Sequence, residues 1–313
     1  MSKRILVCGS LAFDTIMVFP DRFSRHILPD QTHMLSVSFQ IGEMRREWGG
    51  CAGNIAYNLR GIGGEPQILA TLGQDGGPYR DRIAGLGLAM EGVRTIGDTY
   101  TAQAFIITDL DDNQITAFHP GAMNQSHQCR LKDVPEVALG IVAPDGKQGM
   151  REHLAELAAA GIPALFDPGQ GLPLFDGPEL VEMIGQATYV AVNDYEAKLL
   201  CERTGLSIPA IAERVDALVV TLGADGSVIH ANGMIHSIPP VKPAAIVDPT
   251  GCGDAYRAGL LYGIAEGWEW PRTGRLASLM GSLKIASRGG QNHAVSRAHV
   301  AALYSDAFGR SLW

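Results

Sequence analysis

A glycine-flanked acidic motif near the carboxyl end of the chain is the clearest candidate for chemistry. It spans residues 247–256, reads Val-Asp-Pro-Thr-Gly-Cys-Gly-Asp-Ala-Tyr, and leads into a largely small and apolar helical stretch. Glycines at a helix start leave backbone N–H groups uncovered, and these donors attract an anion such as a phosphate group. Asp254 would repel that anion unless it has another task, such as accepting a proton from an attacking hydroxyl. An Asp helix cap after a glycine turn is the competing interpretation.

The composition narrows the class of protein. The chain has 313 residues, of which 46% are hydrophobic and 38 are glycine, as suits an α/β protein with many tight turns. The net charge of −8 argues against a general nucleic-acid binder, which carries a basic stripe. The five cysteines include no CxxC pair, so neither a disulfide framework nor a zinc site is supported. Without a signal-peptide core or a membrane span, we expect a cytoplasmic protein.

Short apolar runs alternate with helical patterns along most of the chain. The predicted strands are 4–8, 68–72, 139–143, 164–167, 189–192 and 217–222. The predicted helices between them include 54–59, 151–160, 195–204 and 255–266. This alternation predicts βαβ units and a mainly parallel sheet covered by helices on both faces.

Two segments, 13–48 and 98–122, break this alternation. They contain four extended runs, at 15–19, 35–41, 104–108 and 114–118. A polar turn joins the last two runs and predicts a hairpin. We expect the two segments to form a small antiparallel sheet that projects as a lid from a single domain, with long surface loops as the alternative.

Three further motifs accompany the acidic loop. They are a glycine-rich helix start with Gly49, Gly50 and Asn54, the pair Asn193 and Glu196, and the turn 221–226. In this order the four motifs resemble the ribokinase-like (PfkB) family of carbohydrate and nucleoside kinases, over essentially the whole chain. The runs 118–123 and 289–293 make it most similar to prokaryotic adenosine and nucleoside kinases. The resemblance implies a three-layer α/β/α sandwich with a mainly parallel central sheet and a small projecting β-sheet lid.

The same resemblance implies an ATP-dependent kinase that phosphorylates the 5′-hydroxyl of adenosine or a related nucleoside. Its general base would be Asp254, beside an anion hole formed by the backbone N–H groups of Gly251, Cys252 and Gly253. The hydroxyls of the acceptor would be held by Asp14, Gly49, Gly50 and Asn54, with a simple turn residue as the alternative for Asp14. The residues expected at the nucleotide are Asn193, Thr221, Gly223 and Gly226.

Two cation sites are also implied. Glu196 would organise Mg²⁺ through water, although Asn193 and Glu196 also match a helix capping box. Asp248 would bind K⁺ together with backbone carbonyls around 287–290. Cys51 and Cys252 fall in the two ligand loops, and the helix N-terminus at Cys252 favours a reactive thiolate, with small residues buried in tight turns as the competing interpretation.

Other functions remain open on the sequence. A sugar kinase of the same family, acting on ribose or fructose, needs the same grip on a diol, and a non-catalytic nucleoside-binding relative is a further alternative. An apolar slot for a purine would favour the nucleoside. Its candidates are Phe13, Phe39, Phe118, Ala122 and Met123, which could equally form the core of the lid. We expect a small-molecule acceptor and ATP as ligands, no nucleic acid or membrane as partner, and a monomer or a homodimer formed through the lid.

Overall fold

Strands and helices alternate through the computed structural model, which describes residues 3–27, 36–111 and 113–313. The strands are β1 (Arg4–Cys8), β2 (Ala12–Val18), β3 (Glu43–Gly49), β4 (Glu65–Leu72), β5 (Val93–Thr95), β6 (Ala102–Thr108), β7 (Gln114–His119), β8 (Leu139–Val142), β9 (Ala164–Phe166), β10 (Tyr189–Asn193), β11 (Ala217–Thr221), β12 (Ser227–Ala231) and β13 (Met234–Ile238). The helices are α1 (Cys51–Gly61), α2 (Gly77–Gly85), α3 (Lys147–Ala159), α4 (Gly177–Gln186), α5 (Asp194–Thr204), α6 (Ile208–Ala212), α7 (Cys252–Ala265), α8 (Trp270–Ile285) and α9 (Arg297–Phe308). Each described helix is too short or too polar to cross a lipid bilayer.

The large sheet is mainly parallel, as the alternation predicted. Its order within the described residues is β13-β12-β11-β10-β9-β8-β1-β4-β5. The strands from β11 to β5 pair in parallel, and β12 and β13 add an antiparallel edge. The chain runs outward in opposite directions on the two sides of the β8–β1 pair. Ligands of such sheets bind outside the carboxyl ends of the strands near this reversal.

Helices cover both faces of this sheet, which confirms the three-layer sandwich. Successive residues of β1 alternate between two cores, with Ile5 and Val7 on one side and Leu6 and Cys8 on the other. The first core is completed by α1, α2, α7, α8 and α9, and the second by α3, α4, α5 and α6. The helices α1 and α7 therefore share one face, and their N-termini can meet above the same sheet edge.

A second, four-stranded sheet has the order β3-β2-β6-β7 within the described residues. The pairs β2–β3 and β6–β7 are antiparallel, as expected, whereas β2 and β6 pair in parallel at the centre of the sheet. The extended run at 35–41 supplies no strand to this sheet over its described part: residue 35 lies outside the described residues, and 36–41 are irregular. Pairing with β2 places the strand at Glu43–Gly49 instead, although that segment is rich in charge.

The register of β2 with β3 brings candidate residues together where the two sheets meet. Ala12 lies opposite Gly49, and Asp14 lies opposite Glu47. Since β2 begins only three residues after β1 ends, Asp14 stays close to the carboxyl end of the central strand. The short connection thus joins the second sheet to the body at the edge where ligands of this architecture bind.

Candidate active site

Two helix N-termini meet at the centre of the candidate site. Gly50 caps α1 with a φ of 85°, and Gly251 caps α7 with a φ of 78°. Such backbone conformations favour glycine, and a Cβ at Gly50 would also lie 2.5 Å from the carbonyl oxygen of Ser10. The Nδ2 of Asn54 on α1 donates to the Oδ2 of Asp254 on α7 at 2.8 Å. The structure thus brings the predicted base together with a predicted acceptor-binding residue.

A chain of hydrogen bonds connects Asp254 to the second sheet. The Nε2 of Gln291 donates to Asn54 Oδ1 at 3.2 Å and to the Tyr79 hydroxyl at 2.8 Å. That hydroxyl donates to the backbone oxygen of Gly49 at 2.7 Å. Because the Oδ1 of Asn54 already accepts from Gln291, its amide faces Asp254 with an N–H group and not with its oxygen. The geometry therefore holds Asp254 as an oriented acceptor.

Asp254 has the protonation behaviour of a base that works near neutral pH. Burial raises the pKa of its carboxyl to about 6, against lowering by the hydrogen bond from Asn54. Two nearby charges have opposite effects, because Asp167 raises this pKa and Arg257 lowers it. A hydrogen bond with Cys51 also lowers it. The carboxyl is ionised at pH 7 and still binds a proton readily, which is the balance that a general base requires.

The proposed anion hole needs one correction. The backbone N–H of Cys252 donates to the carbonyl oxygen of Pro249 at 3.1 Å and closes the turn before α7. The N–H groups of Gly251 and Gly253 have no acceptor within the described residues. A Cβ at Gly253 would meet no atom within 4 Å, so this position borders open space. The loop therefore offers two glycine donors instead of three consecutive ones.

Asp14 and Gly49 lie against each other beside this loop. A Cβ at Gly49 would lie 2.3 Å from Asp14 Oδ2, so only glycine leaves room for the carboxylate. Burial raises the pKa of Asp14 to about 6, with further raising by the charges of Asp248 and Glu47. The side chain of Asp14 makes no hydrogen bond or ion pair with any other described residue. Its oxygens are therefore available to hydroxyl groups of a ligand.

The residues predicted to contact the nucleotide lie at the ends of two neighbouring strands. Asn193 of β10 and Thr221 of β11 are partners in the parallel register. Gly223 and Gly226 follow with φ of 57° and 89°, and a Cβ at Gly226 would lie 2.2 Å from a backbone oxygen. These glycines keep the turn after β11 tight.

Asn193 and Glu196 form a capping box, as the competing interpretation predicted. Asn193 Oδ1 accepts from the backbone N–H of Glu196 at 2.7 Å, and Glu196 Oε2 accepts from the N–H of Asn193 at 2.8 Å. Glu196 Oε1 takes no part in these bonds, and burial raises the pKa of its carboxyl. The described residues contain no cluster of three His, Cys, Asp or Glu side chains that could hold a metal. A single carboxyl oxygen fits Mg²⁺ held through water, because Mg²⁺ keeps several waters.

The donor set expected for K⁺ is occupied by protein groups. The two carboxylate oxygens of Asp248 accept from the backbone N–H groups of Thr250, at 2.9 Å, and Gly289, at 2.8 Å. The backbone oxygens of Asp248 and Ser287 both accept from the Lys284 ammonium at 2.9 Å. A monovalent metal ion at this point would compete with a positive charge, so the residues present do not fit K⁺.

The two cysteines of the ligand loops are not activated. Burial raises the pKa of Cys252 to about 11, and the positive charge of Lys284 only partly offsets this effect. Burial also raises the pKa of Cys51 well above its ordinary value, and Asp254 adds to the increase. The expectation of a reactive thiolate was wrong, because exclusion of water outweighs the helix N-terminus at both positions.

The aromatic residues considered for a purine slot do not come together. The Phe13 ring is buried, with the guanidinium of Arg46 3.6 Å from its centroid. Phe39 packs 4.8 Å, between ring centroids, from Phe19 in a separate cluster. Phe118 is 52% exposed on β7. These contacts assign Phe13 and Phe39 to packing within the second sheet and its connections.

A buried ion pair below the site was not predicted from the sequence. Arg257 Nε and Nη2 donate to the carboxylate of Asp167 at 3.0 and 3.3 Å, and both side chains are almost fully buried. The pair attaches the second turn of α7 to the residue that follows β9. An arginine in an otherwise apolar helical stretch was the available signal, because a buried charge requires a partner. Gln291 and Tyr79 gave no comparable signal.

Comparison with known proteins places this geometry in a family. The family described as pfkB family carbohydrate kinase matches residues 11–297. The chain belongs to the pfkB family. A nucleoside kinase of Methanocaldococcus jannaschii is 30% identical to this pfkB kinase over 260 residues, 82% of this chain and 85% of that protein.

Solved structures agree with this assignment. The nucleoside kinase of Burkholderia thailandensis in complex with inosine is 54% identical, with a TM-score of 0.89 over 98% of this chain and 99% of the other. The same enzyme in complex with ADP-inosine is 56% identical, with a TM-score of 0.87 over 98% and 97%. The predicted family and fold are confirmed. This pfkB kinase is a phosphotransferase with an alcohol acceptor, and its relatives support a nucleoside kinase.

Proposed function

We propose that this pfkB kinase transfers the γ-phosphate of ATP to the 5′-hydroxyl of a purine nucleoside, adenosine or a close relative such as inosine. One observation carries the proposal: Asp254 is an oriented carboxylate with a pKa of about 6 at the start of α7, beside the unused N–H groups of Gly251 and Gly253. The inosine complexes of the Burkholderia enzyme support a purine nucleoside as the acceptor.

In the proposed reaction, the acceptor hydroxyl gives its proton to Asp254 while its oxygen attacks the γ-phosphorus. The new O–P bond forms as the bond from the γ-phosphorus to the β,γ-bridging oxygen breaks, and ADP leaves. Asn54 keeps the carboxylate facing the hydroxyl. The N–H groups of Gly251 and Gly253 stabilise the charge that moves, and losing one such donor costs on the order of 3 kcal/mol of transition-state stabilisation.

Asp14 would bind the 2′- and 3′-hydroxyls of the ribose. Its carboxylate is paired with no described residue and can accept from two vicinal hydroxyls. Gly49, Gly50 and Asn54 border the same space, and the two glycines allow a sugar to approach the backbone. This arrangement would fix the ribose so that its 5′-oxygen reaches Asp254.

The nucleotide would lie along the ends of β10 and β11. Asn193 and Thr221 mark this edge, and Gly223 and Gly226 leave the backbone open to a flat base. Glu196 Oε1 would hold the waters of Mg²⁺, which neutralises part of the phosphate charge when the nucleotide is bound. The second sheet, within lid segments 13–48 and 98–122, would close over both substrates and exclude water.

The proposal is tested by measuring ADP formation with adenosine, inosine, guanosine, cytidine, ribose and fructose as acceptors, with the Asp254→Asn variant as control. We expect a purine nucleoside to have the highest kcat/KM and the variant to lose activity with every acceptor. A preference for ribose or fructose would instead identify a sugar kinase. Binding of nucleosides without any ADP formation would identify a non-catalytic relative.

The role of Asp14 is tested with 2′-deoxyadenosine. Removing one hydroxyl leaves a buried carboxylate with one partner fewer, so we expect kcat/KM to fall by about tenfold or more. In the Asp14→Asn variant this discrimination should shrink. Equal efficiencies for adenosine and its 2′-deoxy form in the parent enzyme would refute the role.

A further inference from the structure

Lys284 is a fully buried lysine in the last turn of α8. No carboxylate oxygen among the described residues lies within ion-pair distance of its ammonium group. Lysine is almost never fully buried unless its charge is compensated, because removing an ammonium group from water is costly. A lysine kept in this place therefore calls for an explanation beyond packing.

Two backbone oxygens compensate the charge. The ammonium donates to the carbonyl oxygens of Asp248 and Ser287, each at 2.9 Å. These oxygens belong to the loop before α7 and to the loop after α8. The two loops are also joined directly, since Asp248 N–H donates to Ile285 O at 3.1 Å and Gly289 N–H donates to Asp248 Oδ2 at 2.8 Å. Lys284 thus lies at the junction of the two loops.

The loop that Lys284 holds is the one that carries the anion donors. Residues 248–253 lead from Asp248 to Gly251 and Gly253, and Asp254 follows directly. A displacement of Asp248 would therefore move both the donors and the base. The charge of Lys284 also reaches this loop, because it acts to lower the pKa of Cys252 against the larger, opposing effect of burial.

Carbonyl oxygens that converge on a buried point are the ligands that proteins use to replace the water shell of K⁺. An ammonium group carries the same single charge and satisfies the same oxygens through N–H donation. We propose that Lys284 is a positioning residue that acts as a built-in monovalent cation, so that this enzyme needs no K⁺ to order its anion loop. The proposal rests on the proposed phosphoryl transfer for its kinetic consequence alone.

The parent protein gives the first test. We compare kcat in KCl with kcat in tetramethylammonium chloride at equal ionic strength, using the best acceptor of the panel. The two values should agree within about twofold, because the site already holds its cation. Strong activation by K⁺, on the order of tenfold, would overturn the proposal.

Two variants separate charge from packing. Lys284→Ala removes the charge and leaves a space between the carbonyls, whereas Lys284→Met removes the charge and keeps most of the volume. We expect both to lose kcat by about tenfold or more, with KM for the acceptor less affected. K⁺ or methylammonium should restore activity to Lys284→Ala but not to Lys284→Met. Lys132→Ala, which alters an exposed lysine, should match the parent in every salt.

A thermal-unfolding readout is independent of catalysis. K⁺ that binds between the carbonyls of Lys284→Ala should raise its Tm by about 2 to 4 °C over tetramethylammonium, with no such rise in the parent or in Lys284→Met. This result would hold even if the acceptor panel contradicted the proposed function. Full activity of Lys284→Met, or loss in Lys284→Ala with neither kinetic nor thermal response to K⁺, would overturn the proposal. Should a variant fail to fold, the salt comparison on the parent protein decides.

Discussion

Replacing Asp254 with asparagine should slow phosphoryl transfer severely and, at neutral pH, make the folded protein more stable. The pKa of this carboxyl rises on folding from an ordinary value of 3.8 to about 6. Folding therefore favours the protonated form, and the stability that this form provides is present below pH 3.8 and is lost as the pH rises through 6. Asparagine is neutral at every pH and escapes this loss, while its side-chain oxygen can still accept from Asn54.

The size of the effect follows from the shift. A pKa that rises from 3.8 to about 6 corresponds to about 3 kcal/mol, at about 1.4 kcal/mol for each tenfold change in proton affinity. The side chain of Asp254 is only partly shielded from solvent, so we expect about 1 to 2 kcal/mol of added stability at pH 7. The loss of a general base should lower kcat by about 10²- to 10⁴-fold.

The matched control is Asp248→Asn, in which the same substitution meets the opposite shift. Burial raises the pKa of Asp248, but the backbone N–H donors of Gly289 and Thr250, the Thr250 side chain and the charge of Lys284 all lower it, and the net shift is downward. The stability from this carboxylate is therefore present above pH 3.8 and is lost as the pH falls through the lowered pKa. Asp248→Asn should be less stable than the parent at pH 7, and the difference should shrink in acid.

The assay is urea unfolding of the parent and both variants between pH 4 and pH 7.5, with ADP formation measured in parallel. For Asp254→Asn the gain in the free energy of unfolding should grow from pH 4 to pH 7. A constant difference across this range, or a variant less stable than the parent at pH 7, would refute the argument from burial. Retention of full activity by Asp254→Asn would refute its role as the base.

Three further outcomes can be checked on the same preparation. Below pH 6 the logarithm of kcat/KM, plotted against pH, should fall with a slope of about two, because Asp254 and Asp14 both have a pKa of about 6. The Asp14→Asn variant should reduce this slope to about one. An unchanged slope in the variant would contradict the titration of Asp14. Tyr79→Phe should lower the free energy of unfolding in urea by about 1 kcal/mol and should lower kcat more than it raises KM. Unaltered kinetics would show that the hydrogen bonds of Tyr79 do not help to orient Asp254. Iodoacetamide at pH 7.5 should modify Cys252 about a hundredfold more slowly than a free thiol, measured by mass spectrometry, and rapid labelling would show a lower pKa.

The candidate site was predictable where function depends on local backbone form. The glycines at 50 and 251 could be assigned to helix starts. Both caps have a positive φ, and only glycine adopts such a φ at little energetic cost. The capping box of Asn193 and Glu196 was readable for the same reason, since its two hydrogen bonds span three residues. Such features are written in short stretches of sequence.

Contacts between distant segments were not predictable in this way. Gln291 contacts Asn54 across 237 positions, and nothing in the run around Gln291 states which partner it meets. The strand at Glu43–Gly49 was missed because four of its seven residues are charged and no apolar face recurs along it, and its pairing with β2 outweighs that composition. The lysine at the expected K⁺ site was not predictable for the same reason. The Lys284 ammonium that donates to the backbone oxygen of Asp248 comes from a helix 36 positions along the chain.

By itself, the sequence determined the layered α/β architecture, the mainly parallel sheet, and the glycine-bounded loop that presents Asp254. Hydrophobic periodicity and backbone restrictions act over a few residues, so they can be interpreted without knowing the fold. Only the tertiary structure decided which donors remain free, how water exclusion shifts the pKa of each carboxyl and thiol, and that an ammonium group takes the cation's place. Those properties depend on which side chains meet in space and how far water is excluded, and neither is encoded in the spacing of residues along the chain.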